Sequence, residues 1–113
     1  MSGGAVSWTA LASLAAILAA SPVRAEMIDT PACRRDLAAA NRLVEAIQAR
    51  DKDFVAGDLA TNCRLLRQNL ADMVKAREPM NRCLGGHEHG ETIAQIDDSI
   101  ADIRLAIANH CGK

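Results

Sequence analysis

The stretch Arg82-Cys83-Leu84-Gly85-Gly86-His87-Glu88-His89-Gly90-Glu91 gathers the residues of this chain best suited to chemistry. Imidazole and carboxylate are good ligands for Zn²⁺ and Cu²⁺, which makes His87, His89 and Glu91 a candidate metal set, with Glu88 between the histidines. A dedicated zinc site usually fixes three or four protein ligands on a firm frame, whereas these all come from one glycine-rich segment. The reading the sequence favours is a solvated connection, in which glycines permit the chain to reverse and acids favour the start of the next helix. Zn or Cu binding is the alternative, and no other cofactor is expected.

Cysteine is the second chemical resource. Cys33, Cys63, Cys83 and Cys111 are separated by 30, 20 and 28 residues. No C-x-x-C pair occurs, which argues against a zinc ribbon or a thioredoxin-like redox motif and leaves structural disulfides as the expected use.

Catalytic patterns are missing. The chain has no Gly-rich phosphate loop, no G-x-S-x-G and no H-E-x-x-H. Asp97, Asp98 and Asp102 cluster, but Asp98 and Asp102 are an i,i+4 pair on what reads as a solvated helix face, without the sheltered cleft that acid and base work needs. A non-enzymatic protein is expected.

The elements that position these residues begin with a targeting segment. An apolar run from Ala10 to Ala20 leads into Ser21, Pro22 and Val23-Arg24-Ala25, a small-residue cleavage pattern. Residues 1–25 therefore read as a signal peptide, although the region before the run has no Lys or Arg. A spanning helix needs about 20 apolar residues, and Ser7, Thr9 and Ser13 dilute this run, so no stable membrane insertion is expected after cleavage. The location expected is the periplasm, if the source is a Gram-negative bacterium, or the extracellular space.

Cleavage after Ala25 would leave residues 26–113 as one domain of 88 residues, with twelve basic side chains against fourteen acidic and a net charge of −2. Nucleic-acid binding is not expected, because displacing counterions from phosphate calls for a basic excess. Phe54 would be the only aromatic residue left, which removes the usual platforms for stacking bases or sugars. A core this small leaves a modest margin over chain entropy, and crosslinks would reinforce it.

The periodicity is helical throughout. Apolar residues recur at Cys33, Leu37, Ala40, Val44, Ile47 and Phe54, then at Leu59, Cys63, Leu66, Leu70 and Met73, then at Ile93, Ile96, Ile100, Ile103, Ile107 and Cys111. Steps of three and four, or their sum, line one helix face. Thr30-Pro31 reads as an N-cap and first helical residue, Gly57-Asp58 as a stop and a new cap, Pro79 as a terminator, and Thr92 to Gln95 as a capping box. These signals predict an all-α fold, an up-down-up three-helix bundle with helices at about 31–56, 59–78 and 93–111.

That layout selects a disulfide pairing, since bridged Cα atoms must lie within about 7 Å of each other. With the Gly57 turn at the top and about 1.5 Å of rise per residue, Cys33 and Cys83 both lie about 30 Å or more below it, while Cys63 and Cys111 lie close to it. Cys33 with Cys83 and Cys63 with Cys111 are the expected bridges. If the first helix ended at Arg50 and Asp51-Lys52-Asp53 made the turn, Cys33 would sit more than about 10 Å from either possible partner on the same count.

The surface supplies the remaining clue to function. The second helix carries Arg64, Arg67, Lys75 and Arg77 against Asp72 and Glu78, and the third carries mostly acids, so the two should attract. Leu43, Leu65 and Leu105 lie off or beside the main seams, either buried by a broad bundle face or available to a protein partner or a second copy. The function expected is interaction or binding, with the partner unidentified.

Overall fold

The computed structural model describes residues 27–86 and 89–112. The expected signal segment, residues 1–25, lies outside them, as do His87 and Glu88. Among the described residues the chain forms three helices, α1 (Pro31–Arg50), α2 (Leu59–Cys83) and α3 (His89–His110), with a 3₁₀ turn (Asp51–Asp53) after α1.

Two of the expected helix starts are in place. Thr30 Oγ1 accepts from the Cys33 N–H at 3.1 Å, with Pro31 at the first helical position. Asp58 Oδ1 accepts from the Thr61 N–H at 3.1 Å and caps α2. Gly57 precedes it with φ +84°, a conformation that favours glycine.

Three boundaries differ from expectation. Helix α1 stops at Arg50 rather than near residue 56, because two long side chains close its end. Lys52 Nζ donates to Ala49 O at 2.9 Å, which satisfies a free C-terminal carbonyl, and Arg50 turns toward α2. Phe54, expected on the helix face, instead follows the 3₁₀ turn and packs partly buried against the core.

Helix α2 runs through Pro79 to Cys83 instead of ending near residue 78. A proline inside a helix removes one backbone bond and strains the preceding turn, at a cost of about 3 kcal/mol. Continuing past it buries Met80 and Cys83 and seats the Cys33–Cys83 bridge, and that gain outweighs the local loss. Helix α3 includes His89 and Glu91 and runs to His110, so Thr92 lies within it and does not cap it. Glu91 then sits in the first turn, where the helix dipole favours a carboxylate.

These changes compensate one another in length. From Leu59 to Cys83 α2 descends about 36 Å. On the other side, α1 rises about 26 Å from Cys33 to Arg50, the 3₁₀ turn adds about 6 Å, and two extended residues add about 6 Å more. The ends stay level although α1 is short, because the reversal stays at Gly57 and the residues between Arg50 and the turn supply the missing rise.

Helix α2 is central, with α1 and α3 each running beside it. Leu37, Ala40, Val44 and Ile47 of α1, Leu66, Met73, Ala76 and Met80 of α2, and Ile93, Ile96, Ile100 and Ile103 of α3 form one buried cluster. Leu65 is buried and Leu43 packs partly buried against the cluster, so the bundle takes both. Leu105 stays 60% exposed.

Candidate functional site

Each helical hairpin is a closed ring. The α1–α2 hairpin turns at Gly57 and is tied at its open end by Cys33–Cys83, with a Cα separation of 5.4 Å. The α2–α3 hairpin turns at the opposite end and is tied by Cys63–Cys111 at 5.7 Å. Both expected pairings are present, and all four cysteines are used. Such bridges point to an oxidising environment.

At the lower end the segment before α1 folds back over the crosslink. The Ile28 N–H donates to Cys83 O at 2.7 Å, and Met27 pairs antiparallel with Leu84. Arg82 Nη1 reaches Asp36 of α1 at 3.1 Å, and its Nε lies 3.4 Å from Glu78. Asp29 pairs with Arg34.

The expected metal ligands approach this end only in part. His89 Nε2 lies 3.0 Å from Asn81 O, so that a proton on Nε2 would donate to that carbonyl. Glu91 is two residues further along α3 and exposed. Among the described residues no group of three or more His, Cys, Asp or Glu side chains could hold a metal ion. His110 closes the far end of α3, at the other tip of the bundle.

The upper end presents apolar surface. Val55 is 51% exposed and Leu59 58% exposed, on either side of the Gly57 turn. The Asn62 side chain grips Val55 from both sides: Oδ1 accepts from its N–H at 2.9 Å and Nδ2 donates to its carbonyl at 2.8 Å. The Asp58 N–H adds a bond to the same carbonyl at 3.1 Å. Val55 is therefore exposed on a braced segment.

A polar cluster that the apolar pattern concealed lies between these ends. Asn69 of α2 is 0% exposed, its Oδ1 accepts from Arg50 Nη1 at 2.9 Å, and its Nδ2 has no partner. Arg50 Nη1 also lies 2.7 Å from Asp72 Oδ2. The available signal was Asn69 standing three residues after Leu66 and four before Met73, a polar residue at a seam position.

The acids of α3 are surface groups. Arg77 holds Asp97 with two parallel contacts, Nε to Oδ1 at 2.5 Å and Nη2 to Oδ2 at 3.1 Å. These hydrogen bonds, more than the charge itself, keep the Asp97 carboxyl below the ordinary carboxylate range. The backbone hydrogen bond from Thr61 does the same to Asp58. Asp98 and Asp102 are exposed, and the expected attraction between α2 and α3 is realised through the Arg77–Asp97 pair.

Among the described residues no helix is long and apolar enough to cross a membrane. No protein-family model, curated protein or solved structure matches the chain. Fold and crosslinks therefore define the class: a small helical protein with two disulfides, whose described residues form three helices with each neighbouring pair tied by one bridge.

Proposed function

We propose that the chain is an exported, non-enzymatic binding protein of the periplasm or extracellular space, made with a signal peptide at residues 1–25. The observation that carries the export reading is the closure of both helical hairpins by disulfides, a use of cysteine that belongs to oxidising compartments. Mass spectrometry of protein recovered from the cell envelope or medium tests it. The expected mass is that of residues 26–113 with four oxidised cysteines, whereas recovery from the cytoplasm with free thiols refutes export.

The binding reading rests on Val55 and Leu59, exposed apolar side chains beside a turn that Asn62 braces. A partner meeting this tip would need little loop ordering on this side of the contact, and that lowers the cost of association. Photo-crosslinkers placed at Val55 and, as a control, at the exposed Ala38 on α1 compare the two surfaces inside the producing cell. Adducts to one protein at Val55 and none at Ala38 support the reading. Adducts to a second copy make the contact self-association, and none at either position removes it.

A second reading is favoured by the His89–Asn81 contact. Metal-bound histidines commonly donate their other ring N–H to a carbonyl, and His89 is placed to do so through Nε2. Zn²⁺ or Cu²⁺ would then meet His89 through Nδ1, with His87 and Glu91 as the other candidates. Titration of the native chain and of a His87→Ala, His89→Ala variant decides this. Equal affinity in both, or none in either, excludes the metal reading.

A further inference from the structure

We infer that Cys63–Cys111 is the exchangeable disulfide and Cys33–Cys83 the permanent one, so that a dithiol reductant opens the α2–α3 hairpin while the α1–α2 hairpin stays closed. Thiol–disulfide exchange requires a thiolate to reach one sulfur along the bond, so access governs which bridge reacts first. Cys83 is 0% exposed and Cys33 only 9%. The segment carrying Met27 and Ile28 lies across that bridge through its bonds to Leu84 and Cys83.

At the other tip Cys63 is also buried, but Cys111 is only partly buried and follows the last residue of α3. Attack there is at Cys111. A competing effect exists, since Arg82 Nη1 lies 3.9 Å from Cys83 Sγ and would stabilise a thiolate leaving there. Leaving-group charge helps only after the attacking sulfur has arrived, and the buried Cys83 and covered Cys33 deny that approach.

The chemistry balances with the dithiol as the electron donor. Its first thiolate attacks Cys111 Sγ, forms a mixed disulfide and expels Cys63 as a thiolate, which takes up a proton. The second thiol of the reductant, deprotonated, attacks its own sulfur of the mixed disulfide and releases Cys111. The two electrons gained by the cysteines equal those lost as the reductant closes to its own disulfide.

The consequence is asymmetric because the two hairpins are held differently. Arg50–Asp72, Arg50–Asn69 and Arg82–Asp36 link α1 to α2. Among the described residues the ion pair joining α2 to α3 is Arg77–Asp97, exposed to solvent. Once Cys63–Cys111 opens, the upper part of α3 is held mainly by packing of Ile100, Ile103 and Ala106. Its release uncovers an aliphatic face while the remaining hairpin stays crosslinked.

Stepwise reduction of the full oxidised chain tests the order. Dithiothreitol is titrated in without denaturant, thiols are trapped with N-ethylmaleimide, and labelled peptides are mapped. A two-label species carrying both labels on Cys63 and Cys111 is expected to accumulate at least about tenfold faster than any labelled at Cys33 or Cys83. First labelling at Cys33 and Cys83, or direct passage to four labels, overturns the order. Amide hydrogen exchange on a Cys63→Ser, Cys111→Ser variant tests the release: faster exchange in residues 100–110 with α1 and the lower half of α2 unchanged supports it. Uniform loss of protection, or none, overturns it.

Discussion

Arg50 Nη1 donates to Asn69 Oδ1 at 2.9 Å, and this contact joins the last residue of α1 to the most completely buried polar side chain of α2. It leaves Asn69 Nδ2 buried with no partner. A hydrogen bond from a charged group such as Arg50 is worth about 1.5–3 kcal/mol, while an unsatisfied buried donor costs about 1–3 kcal/mol. Asn69→Leu keeps the branching and the heavy-atom count and removes both, so its unfolding free energy should lie within about 2 kcal/mol of that of the native chain. Asn69→Ala leaves a void and should lose about 1–3 kcal/mol. Urea unfolding measures both, and a Leu variant weaker by more than about 2 kcal/mol would show that Nδ2 has a partner in solution.

Pro79 offers a complementary test, since it stands inside a 25-residue helix without the N–H that Lys75 O would accept. Pro79→Ala restores that bond, against some added freedom in the unfolded chain of about 0.4–1 kcal/mol. The net expectation is a gain of about 2–2.6 kcal/mol. A lower thermal midpoint for the variant would mean that the proline ring contributes packing which outweighs the missing bond.

Acid should act on the α2–α3 contact through Asp97. Its folded carboxyl titrates below the ordinary carboxylate range because Arg77 hydrogen-bonds to it. A depressed folded value means that the contribution to stability is present above the unfolded value and is lost as pH falls through the folded one. The window therefore lies below about pH 4, and the effect is small because both side chains face solvent. Carboxyl titration by NMR should place Asp97 below the ordinary range in the native chain and within it in Arg77→Ala. An identical midpoint in both would remove the pairing as its cause.

The sequence carried most of the architecture because helix faces and crosslinks constrain each other. The Cys33–Cys83 and Cys63–Cys111 pairings follow from the sequence even though α1 ends six residues before the expected boundary, since the 3₁₀ turn and the extended residues after it supply the rise that the helix lacks. At Pro79 the local rule yields because a terminator expresses a preference of a few kcal/mol at most, and burying Met80 and Cys83 overrides it. Asn69 was illegible as a buried pair because its partner Arg50 lies on another helix, 19 residues away. The sequence from Gly85 to Gly90 is the least legible stretch, as glycine-rich chain has no periodicity to read.

The interlocked rings give the last prediction. Each disulfide closes a loop of about 50 residues, worth about 4 kcal/mol by restriction of the unfolded chain. Cys63 lies inside the loop closed by Cys33–Cys83, and Cys83 lies inside the one closed by Cys63–Cys111. Either crosslink already shortens the free chain that the other must restrain, so the two contributions overlap. Removing one pair by Cys→Ser should cost about 3–4 kcal/mol, because the remaining crosslink still restrains the unfolded chain, and removing both should cost more than the two single-pair losses added together. Urea unfolding of the two double variants and the quadruple variant completes the cycle. A fully additive loss would place the stabilisation in native contacts around each bridge and not in the shared unfolded chain.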